Sequence, residues 1–208
     1  MQRLLTALCA AMVFLSVSAM AETRPKVTEL GGGALAPAGA TLDGAFARTL
    51  RRPTDAGNVT VRVEHAVDAS RQARFEFQHL RSHAGALGVG AFDLESRAYT
   101  QDTVTTVARG SLAGGVRKSL FNEARLSWTS TGTTSASAEQ AATTVVLNAF
   151  TSGGAQVDGR RGSELVEASD DLDWSHGRHA VRTGVLFTAG RYDTTEARNT
   201  LGTFTFAD

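Results

Sequence analysis

The sequence predicts an all-β fold, an antiparallel up-and-down meander that begins near residue 58. Three observations predict it. Apolar and polar side chains alternate, as in Val59, Val61 and Val63 with Thr60, Arg62 and Glu64 between them, which is the period of a strand with two different faces. Short polar turns alternate along the chain with long connections rich in Gly, Ser and Thr. No segment after residue 22 keeps a helical period.

Each expected strand is bounded by a turn signal. The pattern predicts strands over residues 58–66, 72–81, 101–112, 120–129, 143–150, 163–174 and 179–191, and a last alternating segment near 202–207. Tight turns are expected at 67–71, 113–118 and 175–178, and long connections at 82–100 and 151–162. In a meander the two classes of connection fall at opposite ends of the sheet, so all the tight turns should share one end.

The first 21 residues have the features of an export signal. Arg3 precedes an apolar run from Leu4 to Val17, and Ala19-Met20-Ala21 places small residues three apart after it, as signal peptidase requires. Cleavage is expected between Ala21 and Glu22 and would remove Cys9, the one cysteine. The mature strands must then be held without disulfides. Residues 22–57 are expected to be a poorly ordered lead-in, and residues 58–208 to form the sheet.

Charge excludes one class of partner. The 208 residues carry 21 Lys plus Arg and 21 Asp plus Glu, and no basic run stands out. Nucleic acid is therefore not an expected partner, since phosphate binding needs a basic excess or a basic face.

A meander with one apolar face must hide that face. It can pack on a second sheet in a soluble sandwich, or it can face lipid as part of a transmembrane outer-membrane β-barrel with a polar interior. The polar faces here are densely charged, which favours the barrel: Arg74, Glu76, Glu123, Arg125, Glu167, Asp171 and Asp173. Trp128 and Trp174 close strands beside polar segments, where an interfacial aromatic girdle is expected.

No residue pattern indicates catalysis, a cofactor or a metal. His176 and His179 lie near Asp171 and Asp173, but two histidines across a hairpin turn lack a defined ligand geometry. His79 and His83 are four apart, as on a helix, yet the surrounding pattern predicts a strand. Nucleophile-elbow, EF-hand and P-loop spacings are absent from the sequence. We expect the protein not to be an enzyme and to bind no cofactor.

From Arg62 onward the sequence resembles the barrel region of outer-membrane TonB-dependent receptors, especially those with a carboxypeptidase-regulatory-like domain. The segments that carry the resemblance are Asp171-Leu172-Asp173-Trp174-Ser175-His176-Gly177-Arg178-His179 with Val181 to Gly184, Asn199 to Phe206, Arg62 to His65, Phe75 to Leu80, and Gly88 to Phe92. The resemblance implies uptake of a ligand through a plugged barrel of about 22 strands.

Parts of that family's pattern are absent. Residues 22–57 are too short for a plug and a TonB-contacting segment, seven or eight strands are too few, and Ala207-Asp208 replaces a terminal aromatic. The expectation is therefore a receptor fragment, from a truncated or internally deleted gene or an incomplete sequence. Outer-membrane lipid would be its partner, and the TonB system would act only through the missing parts. The alternative is a secreted or surface β-domain with a binding or adhesive role.

Such a sheet should not close into a barrel by itself. Strands of a wide barrel keep its gentle curvature, whereas an eight-stranded barrel needs an interior filled by side chains. The charged faces cannot fill a small dry interior. An open sheet is expected, with no ladder between the strand near 58–66 and the last strand near 202–207, and its unpaired edges should make it prone to aggregate alone.

Overall fold

The computed structural model of the chain describes residues 12–20, 51–90 and 92–207. Ten strands are seen in these ranges: β1 Met12–Met20, β2 Thr54–Ala66, β3 Arg71–Leu87, β4 Tyr99–Arg117, β5 Leu120–Ser137, β6 Thr143–Val146, β7 Phe150–Ser152, β8 Val157–His176, β9 His179–Arg198 and β10 Thr203–Phe206. The helical structure among the described residues is one 3-10 turn, Glu95–Arg97. No helix in the described ranges is long and apolar enough to cross a membrane.

Seven strands form the main sheet in the order β1-β2-β3-β4-β5-β8-β9. Every neighbouring pair is antiparallel. The tight connections β2–β3, β4–β5 and β8–β9 therefore lie at one end, which we call the turn end. The long connections β3–β4 and β5–β8 lie at the other, the loop end. This separation of the two classes of connection confirms the sequence prediction.

The sheet is open, as predicted. β2 pairs with β1 and β3, and β10 pairs with β6 in a separate small sheet, so in the described part of the chain no ladder joins β2 to the last strand. β1 falls within the expected export signal, and its nine pairs run from Met12 opposite Glu64 to Met20 opposite Ala56. The expected cleavage point between Ala21 and Glu22 lies outside the described residues, as does most of the expected lead-in, so export stays a prediction.

The strands extend further toward the loop end than the sequence predicts. β3 continues to Leu87, β5 to Ser137, and β8 begins at Val157. Threonine pairs across β4 and β5 join the two strands in this region, with Oγ1–Oγ1 distances of 3.2 Å for Thr103–Thr133 and 3.3 Å for Thr105–Thr131. Ser and Thr texture indicated a loop, but the ladder supplies the backbone hydrogen bonds and cross-strand Thr pairs support it. β2 likewise begins at Thr54, within the expected lead-in.

The prediction of one strand over 143–150 is wrong in extent, because the strand that begins there, β6, ends at Val146. The chain turns within that range at Asn148, whose φ is 60°, and the Ala149 amide donates to the Val146 carbonyl at 3.1 Å. β6 and β7 on either side of this turn form a small antiparallel pair outside the main sheet. The last strand, β10, lies parallel to β6 rather than in the meander. Asn tolerates the left-handed conformation, which lets eight residues that alternate like one strand fold into two.

Little of the sheet is covered. Among the described residues the buried apolar side chains are Val89, Val107 and Ala155. Large apolar side chains on the sheet are exposed instead, among them Phe75, Leu126 and Phe187. No second layer packs on the sheet in the described part of the chain, so its apolar face needs a partner outside these residues.

The β2–β3 turn shows why the turn end is tight. The Asp68 carboxylate accepts hydrogen bonds from the backbone amides of Ser70 at 2.8 Å and Arg71 at 2.9 Å. These bonds, that to the Ser70 backbone first, together with the Arg71 guanidinium, lower the pKa of Asp68. An Asp that bonds its own turn backbone is a common device for closing a hairpin.

Candidate functional site

The strand register separates two faces of the sheet. One face carries most of the large apolar side chains of the six strands β2, β3, β4, β5, β8 and β9, and we call it the apolar face. Its members, read from the pairing, are Val59, Val61, Val63, Ala73, Phe75, Phe77, Ala108, Leu112, Ala124, Leu126, Trp128, Val166, Ala168, Leu172, Trp174, Val181, Val185, Phe187 and Ala189. They occupy the half of each strand nearer the turn end. Beyond them the same face becomes polar toward the loop end.

Both predicted girdle residues lie on the apolar face. Trp174 of β8 pairs with Leu120, and Trp128 of β5 pairs with Ala108 and Val166. Leu120 precedes Trp128 by eight residues, which is about 26 Å along a strand. A tilt of about 40° reduces this to about 20 Å along the barrel axis. Trp128 and Trp174 therefore bracket an apolar band close to the height of a membrane-spanning barrel's lipid-facing band, about 25 Å.

Three histidines of the sheet contact neighbours on their own face. The His176 ring stacks on the Trp174 indole, with centroids 5.9 Å apart. His79 Nδ1 lies 3.0 Å from Thr106 Oγ1, and His83 Nδ1 lies 3.0 Å from Asp102 Oδ1. In the described residues no three His, Cys, Asp or Glu side chains come together as a metal site.

The opposite face, which we call the charged face, collects all seven charged residues that the sequence analysis singled out. Arg62 Nε lies 3.0 Å from Glu76 Oε2, and Arg109 Nη1 lies 3.0 Å from Glu76 Oε1. Further pairs are Arg74 with Glu64 at 2.8 Å, Arg125 with Asp171 at 3.1 Å, and Arg182 with Asp173 at 3.4 Å. Such water-exposed pairs contribute little stability. The charged face is therefore suited to contact with water.

A groove of about 490 Å³ runs along the middle of the charged face. Arg74, Glu76, Arg109, Arg125 and Glu167 line it. Both signs of charge meet in this groove, which Leu126 and Leu186 also line, so a solute there would meet charged groups as well as apolar side chains.

A comparison with known proteins identifies the family to which this sheet, with its apolar and charged faces, belongs. Residues 24–208 match the family model described as outer membrane beta barrel domain, which is most of the chain. The chain belongs to that family. It is an outer-membrane protein, and its meander is part of the wall of a transmembrane barrel. No curated protein and no solved structure matches the chain significantly.

In the barrel domain the two faces have opposite surroundings. We expect the apolar face between Trp128 and Trp174 to meet lipid and the charged face to line the interior. Outer-membrane barrels place short turns in the periplasm and long loops outside the cell. By this rule we expect the turn end of the sheet to be periplasmic and the loop end to be extracellular. β8 and β9, with 20 residues each, exceed the roughly 9–11 that a membrane requires, so their extra length extends the wall beyond the lipid.

One acidic residue breaks the pattern of the lipid-facing band. Asp170 pairs with Ala124 and Val185 on the apolar face, and Asn122 Nδ2 donates to its Oδ1 at 2.7 Å. An ionisable side chain facing lipid is costly. The sequence analysis missed this residue because Asp170 and Asp171 are adjacent and look equivalent, although they project to opposite faces.

We expect Asp170→Asn to stabilise the barrel by about 1 kcal/mol, since it removes a charge from lipid and keeps a side chain that can hydrogen-bond to Asn122. Asp171→Asn is the matched control, because the same change on the interior face removes one of the two carboxylate partners of Arg125 and should lower stability slightly. Urea unfolding in lipid vesicles, followed by tryptophan fluorescence, measures both. Equal shifts for the two variants would contradict the assignment of faces.

The loop end contains a cluster of hydrogen bonds around Gln156 and Thr143, which we call the hub and which the sequence did not reveal. Thr143 and Gln156 are buried. Gln156 Nε2 donates to the Thr143 hydroxyl at 3.0 Å and to the Gly202 carbonyl at 2.8 Å, and its Oε1 accepts from the Leu201 amide at 2.7 Å. Arg97 also donates to the Thr143 hydroxyl, at 2.8 Å. These bonds join the β3–β4 and β5–β8 connections to the segment before β10. No local motif marks Gln156, since its partners are far away in sequence.

Proposed function

We propose that the sheet is part of the wall of a wide receptor barrel of the TonB-dependent type, which takes up a ligand across the outer membrane. The observation that carries the proposal is the charged face. Its guanidinium and carboxylate groups project from every strand between β2 and β9, and they require water around them. Only a barrel interior much wider than the side-chain-filled interior of an eight-stranded barrel can hold that water.

The open sheet supports the same proposal. β9 leaves a 20-residue edge, and a barrel cannot keep an open edge in lipid, because each unpaired backbone group costs several kcal/mol. Once β1 is removed with the export signal, six strands of this sheet remain, and further strands complete the cylinder. The resemblance of Asp171–Gly184 and Asn199–Phe206 to receptor barrels favours the TonB-dependent type. The proposal assigns transport, not catalysis, and residues 1–21 as the export signal, so the mature protein should begin at Glu22.

Two measurements test the barrel and its energy source separately. In planar lipid bilayers the protein extracted from outer membranes should give large, weakly selective conductance steps once urea opens any plug, whereas a small filled barrel should give none. Binding of the purified periplasmic domain of TonB to the detergent-solubilised protein tests the receptor type. Large conductance without TonB binding would retain the wide barrel and overturn the TonB-dependent assignment.

A further inference from the structure

Above the lipid-facing band, the outer surface of the wall has a polar depression that the transport proposal does not use. Gly132 of β5 pairs with Gly162 of β8, and Gly162 pairs with Asp193 of β9. Two facing glycines leave the backbone uncovered, and the depression there has a volume of about 260 Å³. We call it the interface groove. Arg160, Glu164, Arg191 and Asp193 surround it.

The height of the groove places it at the outer lipid headgroups. Trp128 marks the upper border of the apolar band, and Gly132 lies four residues further toward the loop end of the same strand, about 13 Å along it. Val166 and Ala189 lie in register beside Trp128 on the two neighbouring strands. A lipid whose head occupies the groove would therefore lay its chains on the apolar band directly below.

The charges around the interface groove indicate which lipid headgroup it can bind. The Arg191 guanidinium is held between Glu164 and Asp193, with both N–O distances at 3.2 Å. Arg160 has no ion pair among the described residues, and it stands in register between Thr134 and Thr195. A free guanidinium flanked by hydroxyl groups matches a phosphate, which guanidinium binds with charge-assisted hydrogen bonds.

The two carboxylates of the interface groove favour a headgroup that carries hydroxyl groups as well as a phosphate. Glu164 and Asp193 keep acceptor oxygens beyond those facing Arg191, and an ionised carboxylate can accept hydrogen bonds but not donate them. Hydroxyl groups donate to such oxygens, whereas a second phosphate would be repelled. The groove therefore matches a head with one bound phosphate among many hydroxyls, which is a phosphorylated sugar.

We propose that the interface groove binds the phosphorylated sugar head of an outer-leaflet glycolipid, with Arg160 on the phosphate and with Glu164 and Asp193 on the sugar hydroxyls. The inference depends on the lipid-facing assignment of the sheet and not on the TonB-dependent type of receptor. A bound glycolipid would fix the height of the wall in the membrane.

The test compares adjacent arginines on opposite faces. Monophosphorylated lipid A and its dephosphorylated form are titrated against the full-length protein in detergent, with binding read by native mass spectrometry. Wild type should bind the phosphorylated form at least about fivefold more tightly. Arg160→Gln should abolish that preference, while Arg161→Gln, which removes one of the two arginine partners of the interior-facing Glu196, should keep it. Retained heat-modifiable migration on gels shows that both variants are folded.

Three results would overturn the proposal. Wild type could bind the two lipid forms equally, in which case the phosphate is not recognised. Arg161→Gln could lose the preference as fully as Arg160→Gln does, which would make the effect one of general charge. Inorganic phosphate at millimolar concentration could displace the lipid completely, which would mean that the groove binds free phosphate and not a lipid head.

Discussion

Phe75→Arg is expected to destabilise the barrel by about 2–4 kcal/mol, the cost of an arginine facing lipid near the middle of the membrane. Phe75 is half-exposed at 48% and lies at the centre of the apolar segment of β3. Its register neighbours are Val63 and Gly110, and neither gives a guanidinium a partner. The loss should appear as a lower urea midpoint in vesicles and as a smaller folded fraction on heat-modifiability gels.

The control for this variant is Gln78→Arg, three residues further on the same strand. Gln78 pairs with Thr60 and Val107 on the charged face, where water and the Glu76 carboxylate are at hand. We expect its effect to stay within about 0.5 kcal/mol, as for an ordinary surface change. If Gln78→Arg were as damaging as Phe75→Arg, the charged face would not line a wet interior.

Gln156→Leu is expected to loosen the segment that contains β10 at the loop end, with a local cost of about 1–3 kcal/mol. The change leaves the Leu201 amide without its partner, while the Gly202 carbonyl keeps the hydrogen bond from the Thr143 amide at 3.1 Å. One unsatisfied polar group costs about 1–3 kcal/mol. Hydrogen exchange should rise in residues 199–206 and stay unchanged in β4 and β5. Limited proteolysis should cleave the variant within the same segment.

Two further variants assign the effect. Gln156→Glu keeps an oxygen for the Leu201 amide and removes the donor to Thr143 and Gly202, so its exchange rates should fall between those of wild type and Gln156→Leu. Gln140→Leu changes an exposed side chain in the same connection and should leave residues 199–206 protected. Equal exchange in all four proteins would mean that the hub does not hold β10.

The sequence predicted the class of each main strand better than its length. Alternation identifies β2, β3, β5, β8 and β9 because a half-buried strand needs different side chains on its two faces. The positions of the strand ends are not predicted by alternation, because Ser, Thr and Gly fit both an exposed loop and the water-facing part of a barrel wall. The Thr103–Thr133 and Thr105–Thr131 pairs show that the ladder, and not local composition, extends β4 and β5.

The charged side chains show the same difference between features that one strand's sequence predicts and features that neighbouring strands determine. Arg74, Glu76, Glu123 and Arg125 were assigned to one face correctly, since a period of two makes the face a local property. Asp170 was missed, and its place in the lipid-facing band depends on which partner strand lies opposite and in what register.

The sequence by itself determined the all-β class, the separation into an apolar and a charged face, and the alternation of tight turns with long connections, because each of these depends on residues within one strand or one turn. Only the tertiary structure decided where β6 and β10 lie, that Gln156 joins two distant connections, and that Gly132 meets Gly162 to open a groove beside Arg160. Those features depend on contacts between residues about 30 or more positions apart or on the register of neighbouring strands, and chain entropy leaves such contacts undetermined until the whole sheet assembles.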